Sequence, residues 1–255
     1  MKLRFSALSV LFLLAGQTAL AEPFNADHLV RLDRVGMPVV SPDGEQVVYS
    51  LRKTDMESGK GRYDLWISQL KGGDTRQLTV HEAADSEASW SADGEWVYFL
   101  SGRSGSSQVW RIAPAGGEAL QVTDVPLDVG SYRLSPAGEH LVLSMRVYPD
   151  CDTLACTVSR NEKADKKPTT GMLFDDLLVR HWDHWLDEKV SRLFALPLKA
   201  DLPAGGEPTL LSGDVLADVP SRTWGGKEEY AFSPDGGTLY FTARLRTEGE
   251  AWSTN

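Results

Sequence analysis

Ser41-Pro42-Asp43-Gly44 leads into Val47-Val48-Tyr49, and the same element returns at Ser91-Ala92-Asp93-Gly94 before Trp96-Val97-Tyr98-Phe99-Leu100. It returns again at Ser135-Pro136-Ala137-Gly138 before Leu141-Val142-Leu143, and at Ser233-Pro234-Asp235-Gly236 before Leu239-Tyr240-Phe241. The element reads as a tight turn. Proline presets φ for the second turn position, aspartate tolerates the bridge region, and glycine takes a positive φ. The apolar run that follows is continuous rather than alternating, which suits a strand covered on both faces.

A second element follows at fixed register. Asp64-Leu65-Trp66-Ile67 and Gln108-Val109-Trp110-Arg111-Ile112 read as short strands that run into the glycine turns Lys71-Gly72-Gly73-Asp74 and Ala115-Gly116-Gly117-Glu118. Each turn opens a third strand ending in threonine, Arg76-Gln77-Leu78-Thr79 and Leu120-Gln121-Val122-Thr123, and the Trp-to-Thr spacing is the same in both. Two elements agreeing in kind and spacing, at a period of about 45–50 residues, predict the blades of a β-propeller.

The third repeat is stretched. Its second element appears only at Arg192-Leu193-Phe194-Ala195-Leu196, followed by Ala204-Gly205-Gly206-Glu207 and Leu210-Leu211-Ser212. The spacing places an insertion over 147–190, and insertions in repeats map to loops on one face, often the binding face. Predicted limits are blade 1 at 36–80, blade 2 at 86–124, blade 3 at 130–213 and the start of a fourth blade at 228–255. Ser91 to Trp110 and Ser233 to Trp252 have identical spacing, so Trp252 is expected to open the second strand of that last blade. The expected fold is therefore all-β, a partial propeller of about three and a half four-stranded blades. Half a blade leaves open strand edges, so the sequence reads as a fragment of a larger protein.

Residues 1–21 carry a different pattern. Lys2 and Arg4 form a positive start, Phe5 to Ala15 is an apolar run, and Ala19-Leu20-Ala21 supplies a small-x-small cleavage pattern ending at Ala21. The run is too short to span about 30 Å of hydrocarbon, so a cleaved export signal is expected, with residues 22–255 as the mature chain, periplasmic or secreted and without a membrane anchor. Two cysteines, Cys151 and Cys156, stand five positions apart; in an oxidising compartment they are read as a local disulfide staple, since two thiols cannot build a four-ligand zinc site. The formal charge of −10 is spread along the chain and shows no basic face, which argues against nucleic-acid binding.

The stretch Leu29-Val30-Arg31-Leu32 through Val40-Ser41-Pro42-Asp43-Gly44 resembles the start of the propeller in bacterial S9 serine peptidases of the prolyl oligopeptidase clan. Leu177-Leu178-Val179-Arg180-His181-Trp182-Asp183-His184-Trp185, followed by Ser191-Arg192-Leu193-Phe194, is similar to a segment of the acylaminoacyl-peptidase and dipeptidyl-peptidase branch. The Ser-Pro-Asp-Gly repeats by themselves are shared with TolB-type propellers. The resemblance implies a substrate-gating propeller set on an α/β-hydrolase domain, with peptides as the partners, no cofactor, and a triad serine on a G-x-S-x-G elbow. No such elbow occurs in this chain. The nearest look-alike is Gly102-Arg103-Ser104-Gly105, so no catalytic residue carries over and the chain is expected to be inert by itself.

Three further groups invite a sharper reading. His181, Asp183 and His184 suggest a metal or a general base, but no nucleophile accompanies them and Trp182 and Trp185 point to aromatic packing, so no metal site is assigned. Asp175, Asp176 and Asp183 offer carboxylates for a substrate's free α-ammonium, against the alternative of a solvated acidic loop. Lys163, Lys166 and Lys167 read as a solvated mobile loop, and Trp66, Trp110 and Trp252 as core. Two classes stay open: the propeller of an exopeptidase, favoured by the insertion, and a non-enzymatic TolB-like interaction propeller.

Overall fold

The computed structural model describes residues 23–171, 173, 180–181, 184–185, 187–198, 203–204, 207–213, 215, 217–222 and 224–245, with backbone alone at 181, 184 and 244. The expected signal and its Ala21, together with Asp175, Asp176, Asp183 and Trp252, lie outside the described residues.

A short helix, α1 (Ala26–Arg31), capped by the Asn25 side chain accepting from the His28 amide at 3.0 Å, precedes the first sheet. That sheet contains β1 (Arg34–Val35), β2 (Val39–Val40), β3 (Gln46–Thr54), β4 (Gly61–Gln69) and β5 (Thr75–Gln77). The second is a meander of β6 (Asp85–Trp90), β7 (Val97–Ser101), β8 (Gln108–Ile112) and β9 (Leu120–Gln121). The third begins with β10 (Val129–Leu134) and β11 (His140–Val147). Helix α2 (Leu154–Asp165) and the small pair β12 (Arg180–His181) and β13 (His184–Trp185) follow before β14 (Val190–Pro197) and β15 (Thr209–Leu210) complete that sheet. Last come β16 (Ala217–Asp218), paired with β19 (Arg244–Leu245), and β17 (Tyr230–Phe232), paired with β18 (Leu239–Phe241). All these pairings are antiparallel, as blades require.

The four serine turns share one chemistry. Ser41, Ser91, Ser135 and Ser233 each accept the amide of the residue five positions on, Gln46, Trp96, His140 and Thr238, at 2.9–3.0 Å. Gly44, Gly94, Gly138 and Gly236 all hold φ between 72° and 74°, where a Cβ would be strained. In three turns the aspartate accepts both from the serine hydroxyl and from the backbone amide two residues on, and these bonds hold the carboxyls of Asp43, Asp93 and Asp235 below the usual range. Ala137 breaks the pattern in the third turn; there Ser135 takes the Glu139 amide as well, at 3.1 Å.

A second repeated bond closes each blade. Thr79 Oγ1 accepts the Leu65 amide at 3.0 Å, Thr123 Oγ1 the Val109 amide at 2.9 Å, and Ser212 Oγ the Leu193 amide at 3.0 Å. Each hydroxyl satisfies a strand amide just where the outer strand has ended, so these three amides are not orphaned.

The cores lie between sheets. Val48, Leu65, Val97 and Phe99 belong to the cluster between the first and second sheets. Tyr98 and Leu100 share the next cluster with Leu141 and Leu143, while Val142 and Leu193 meet Ala217 of β16 and Tyr230 of β17 on the far side of the third sheet. The continuous apolar runs of β7 and β11 are thereby explained: alternate residues feed different cores, and every residue of β7 is buried.

Two sequence expectations need correction. The polar run around Lys163 is helical through Asp165, not loop: Thr153 caps α2 by accepting the Cys156 amide at 3.3 Å, and the segment is rich in good helix formers. Trp66 and Trp110 are half-buried, because Leu65, Ile67, Val109 and Ile112 occupy the inward positions of their strands. Cations cover the two rings, Lys53 Nζ 4.9 Å from Trp66 and Arg103 Cζ 5.1 Å from Trp110.

Candidate functional site

The meander sorts loops between the two ends of the sheets. Serine turns and Gly-Gly turns collect at one end. At the other end lie the β3–β4 and β7–β8 connections and the long segment between β11 and β14, which leaves at Val147 and returns at Val190, its partner in the final rung. The first strand of each blade is irregular at this same end. Register shifts fall between Ser86 and Ser89 and between Val129 and Ser131, and the break between β1 and β2 is the equivalent in the first sheet. Such bulges re-aim side chains and recur at binding rims.

Counting four residues back from each turn serine brings Met37, Glu87, Ser131 and Glu229 to one structural position. Glu87 is the described non-glycine residue with positive φ, at 57°. Holding such a residue in the left-handed region costs about 1 kcal/mol or more, and neighbours from two other blades keep it there. Tyr132 donates its hydroxyl to the Glu87 carbonyl at 2.9 Å, and Lys227 Nζ lies 3.1 Å from the Glu87 carboxylate and 3.4 Å from the Ala88 carbonyl. Arg133 donates from Nε to the Lys227 carbonyl at 2.7 Å and stands 5.8 Å from the Tyr230 ring. Ser131 and Tyr230 share a hydroxyl–hydroxyl bond of 2.9 Å.

Burial first, and the Glu87 charge second, push the Tyr132 phenol well above its usual value; burial likewise raises Tyr230. Both phenols remain protonated at any ordinary pH, so they can bind and orient but not act as bases. Its outermost group is the Glu87 carboxylate, about two-fifths exposed. The sequence reading missed Glu87, Tyr132, Lys227 and Tyr230. The signal available was the common offset from the turn serine, which places an ionisable side chain at Glu87 and Glu229.

The insertion is pinned beside this rim. Cys151 and Cys156 are joined by a disulfide with a Cα–Cα distance of 5.5 Å, enclosing the first turn of α2. Arg160 on α2 stacks on Tyr148 at 3.9 Å and pairs with Asp150 at 2.5 Å, and Leu154 is buried in the core between the second and third sheets. Farther along, His181 pairs with His184 in β12–β13, and the Arg180 guanidinium lies 5.5 Å from the Trp185 ring. The Gly102-to-Gly105 segment serves structure: Arg103 grips the fully buried Asp85. Among the described residues, no three His, Cys, Asp or Glu side chains converge as metal ligands.

Comparison with known proteins gives the context. Residues 31–165 match the family described as PD40, TolB beta propeller domain. Dipeptidyl-peptidase 5 of Porphyromonas endodontalis is 26% identical over 231 residues, covering 91% of this chain and 32% of the relative. An uncharacterized peptidase, YuxL, of Bacillus subtilis is 27% identical over 230 residues, covering 89% of this chain and 32% of the relative. Among solved structures, an acylaminoacyl peptidase in complex with Z-Gly-Gly-Phe-chloromethyl ketone superposes with a TM-score of 0.53 at 15% identity, covering 85% of this chain and 33% of that one. The chain spans about a third of the length of the curated relatives it matches.

Proposed function

The chain belongs to the TolB-type β-propeller family PD40, and from that premise we propose that it forms the substrate-gating part of an exported serine exopeptidase of dipeptidyl-peptidase or acylaminoacyl-peptidase type. The propeller is related to such peptidases. The observation that carries the gating role is the clustering, at one end of the sheets, of the inner-strand bulges, the Glu87 group and the disulfide-pinned insertion. A rim with that build narrows an entrance and offers carboxylates to a peptide's α-ammonium. In this reading the Asp175, Asp176 and Asp183 carboxylates of the insertion add to Glu87, and the bond-breaking serine, aspartate and histidine belong to a hydrolase domain. The periplasm or cell exterior suits the signal-like residues 1–21 and the disulfide.

Two measurements test this. The 255-residue chain should show no turnover of aminoacyl or dipeptidyl chromogenic substrates; turnover that co-purifies with the polypeptide overturns the division of labour. In the parent enzyme, replacing residues 148–189 by a two-residue turn should broaden the accepted peptide length. Unchanged length selectivity would leave a non-enzymatic TolB-like interaction propeller as the better reading.

A further inference from the structure

A cavity of about 330 Å³ opens beside the third sheet, between it and Pro220 and Gly225, at the insertion-bearing end. Its wall carries three hydroxyls, Ser131, Ser144 and Ser191, two cations, Arg146 and Lys189, and the Asn161 amide from α2. Arg146 and Lys189 share a single carboxylate, Asp187: Arg146 pairs with it directly and Lys189 Nζ lies 3.5 Å away, with Asn161 Oδ1 at 3.4 Å. The wall thus carries both signs of charge: two cations that share the Asp187 carboxylate, and a further carboxylate on Asp128. The Ser144 residue is buried, and among the described residues neither its hydroxyl nor that of Ser191 engages a protein partner. The wall therefore holds hydrogen-bonding capacity that the fold itself does not consume.

We propose that this cavity is a binding site for a short free peptide of dipeptide size, held by its α-carboxylate against Arg146 and Lys189. The volume lies at the lower end of the roughly 300–1,000 Å³ typical of small-molecule sites. A carboxylate leaving water needs a cation and donors, which Arg146, Lys189 and the serines supply. The Asn161 amide and the serine oxygens suit the peptide bond. Asp128, also on the wall, offers an acceptor for the ammonium end. The choice of a peptide over other small carboxylates rests on the peptidase reading above; the cavity chemistry does not.

The test is calorimetric titration of the 255-residue chain with alanyl-alanine, with its C-terminal amide, and with inorganic phosphate. The free acid should bind about tenfold or more tightly than the amide, the loss expected when a charged acceptor is removed. Lys189→Met should weaken the acid by a similar factor. Gly130→Phe should abolish binding by filling the space: Gly130 lines the cavity, and a Cβ there meets nothing closer than the Ser144 carbonyl oxygen at 3.6 Å. Circular dichroism of each variant verifies the fold. Equal binding of acid and amide, undiminished binding in both variants, or phosphate binding without dipeptide binding would each overturn the proposal. The length selectivity of the parent enzyme is a separate readout, so failure here is distinguishable from failure of the gating role.

Discussion

One guanidinium nitrogen of Arg103 reaches both oxygens of Asp85, at 2.8 and 2.7 Å, and the aspartate is completely buried. Arg103 also lies over Phe99 and Trp110, at 5.2 and 5.1 Å from the ring centroids. Hairpin and inner strand of the second blade are thus joined by one desolvated contact.

Breaking that contact from one side should be severe. Arg103→Ala strands a buried carboxylate, and a loss of about 3–5 kcal/mol in unfolding free energy is expected. Urea denaturation followed by tryptophan fluorescence measures it. Removing both charges, as in Arg103→Met with Asp85→Leu, should cost much less than Arg103→Ala; an equal loss would show that packing, not charge burial, dominates.

The blade-closing hydroxyls make a second case. Thr123→Val keeps the shape but leaves the Val109 amide without its 2.9 Å acceptor and severs the 2.8 Å bond from Thr123 Oγ1 to Gln108. A buried, unsatisfied amide costs about 1–3 kcal/mol, visible as a lower urea midpoint at unchanged slope. A midpoint within error of wild type would refute the role given to this bond.

Two aspartates should respond to pH in opposite directions. The Ser91 hydroxyl and Glu95 amide hold Asp93 below its ordinary 3.8. Its contribution is therefore present above about pH 4 and fades as pH falls through the folded value. Burial, only partly offset by Arg62, raises Asp64, whose Oδ1 has no hydrogen-bond partner among the described residues. Ionising Asp64 thus opposes folding, and the favourable part survives only at low pH. Asp64→Asn should stabilise the protein at pH 7 and show little effect near pH 3; Asp93→Ala should destabilise at pH 7 and converge with wild type in acid. Denaturation midpoints across that range measure both, and a destabilising Asp64→Asn at pH 7 would contradict the argument.

The disulfide should act locally. It encloses the start of α2, a loop short enough that chain-entropy arguments give about 2 kcal/mol. In Cys151→Ser the amides of 154–165 should exchange faster with deuterium while those of β7 and β11 keep their protection. Equal loss in the strands would mean that helix and sheets unfold as one unit.

The blades were legible because their signals are local. A serine, a turn and an apolar run recur within ten residues, and glycine must stand where φ is near 73°. The Trp-to-Thr spacing was visible too, though not its reason, the hydroxyl acting on a strand amide. Contacts between blades were not legible. Glu87 and Lys227 are far apart in sequence and meet only once three sheets are stacked. Asp64, Gln108 and Arg192 occupy one repeat position, two before the aromatic residue, yet pattern gives no hint of their different fates. Gln108 bonds to the Val125 and Leu127 carbonyls, Arg192 to that of Ser212, and Asp64 is left short of a partner. Helix α2 was obscured by its polarity: it lies at the edge, buries few residues, and lacks the apolar stripe that announces a core helix.

Val147 and Val190 face each other as the last rung of their hairpin. Whatever the intervening residues do, they start and finish one strand spacing apart, so the ladder beneath need not register their length or content. The blade works as a socket into which different segments can be fitted. Evolution, or an engineer, can exchange the recognition element there, provided that a side chain in the place of Leu154 still fills the core between the second and third sheets.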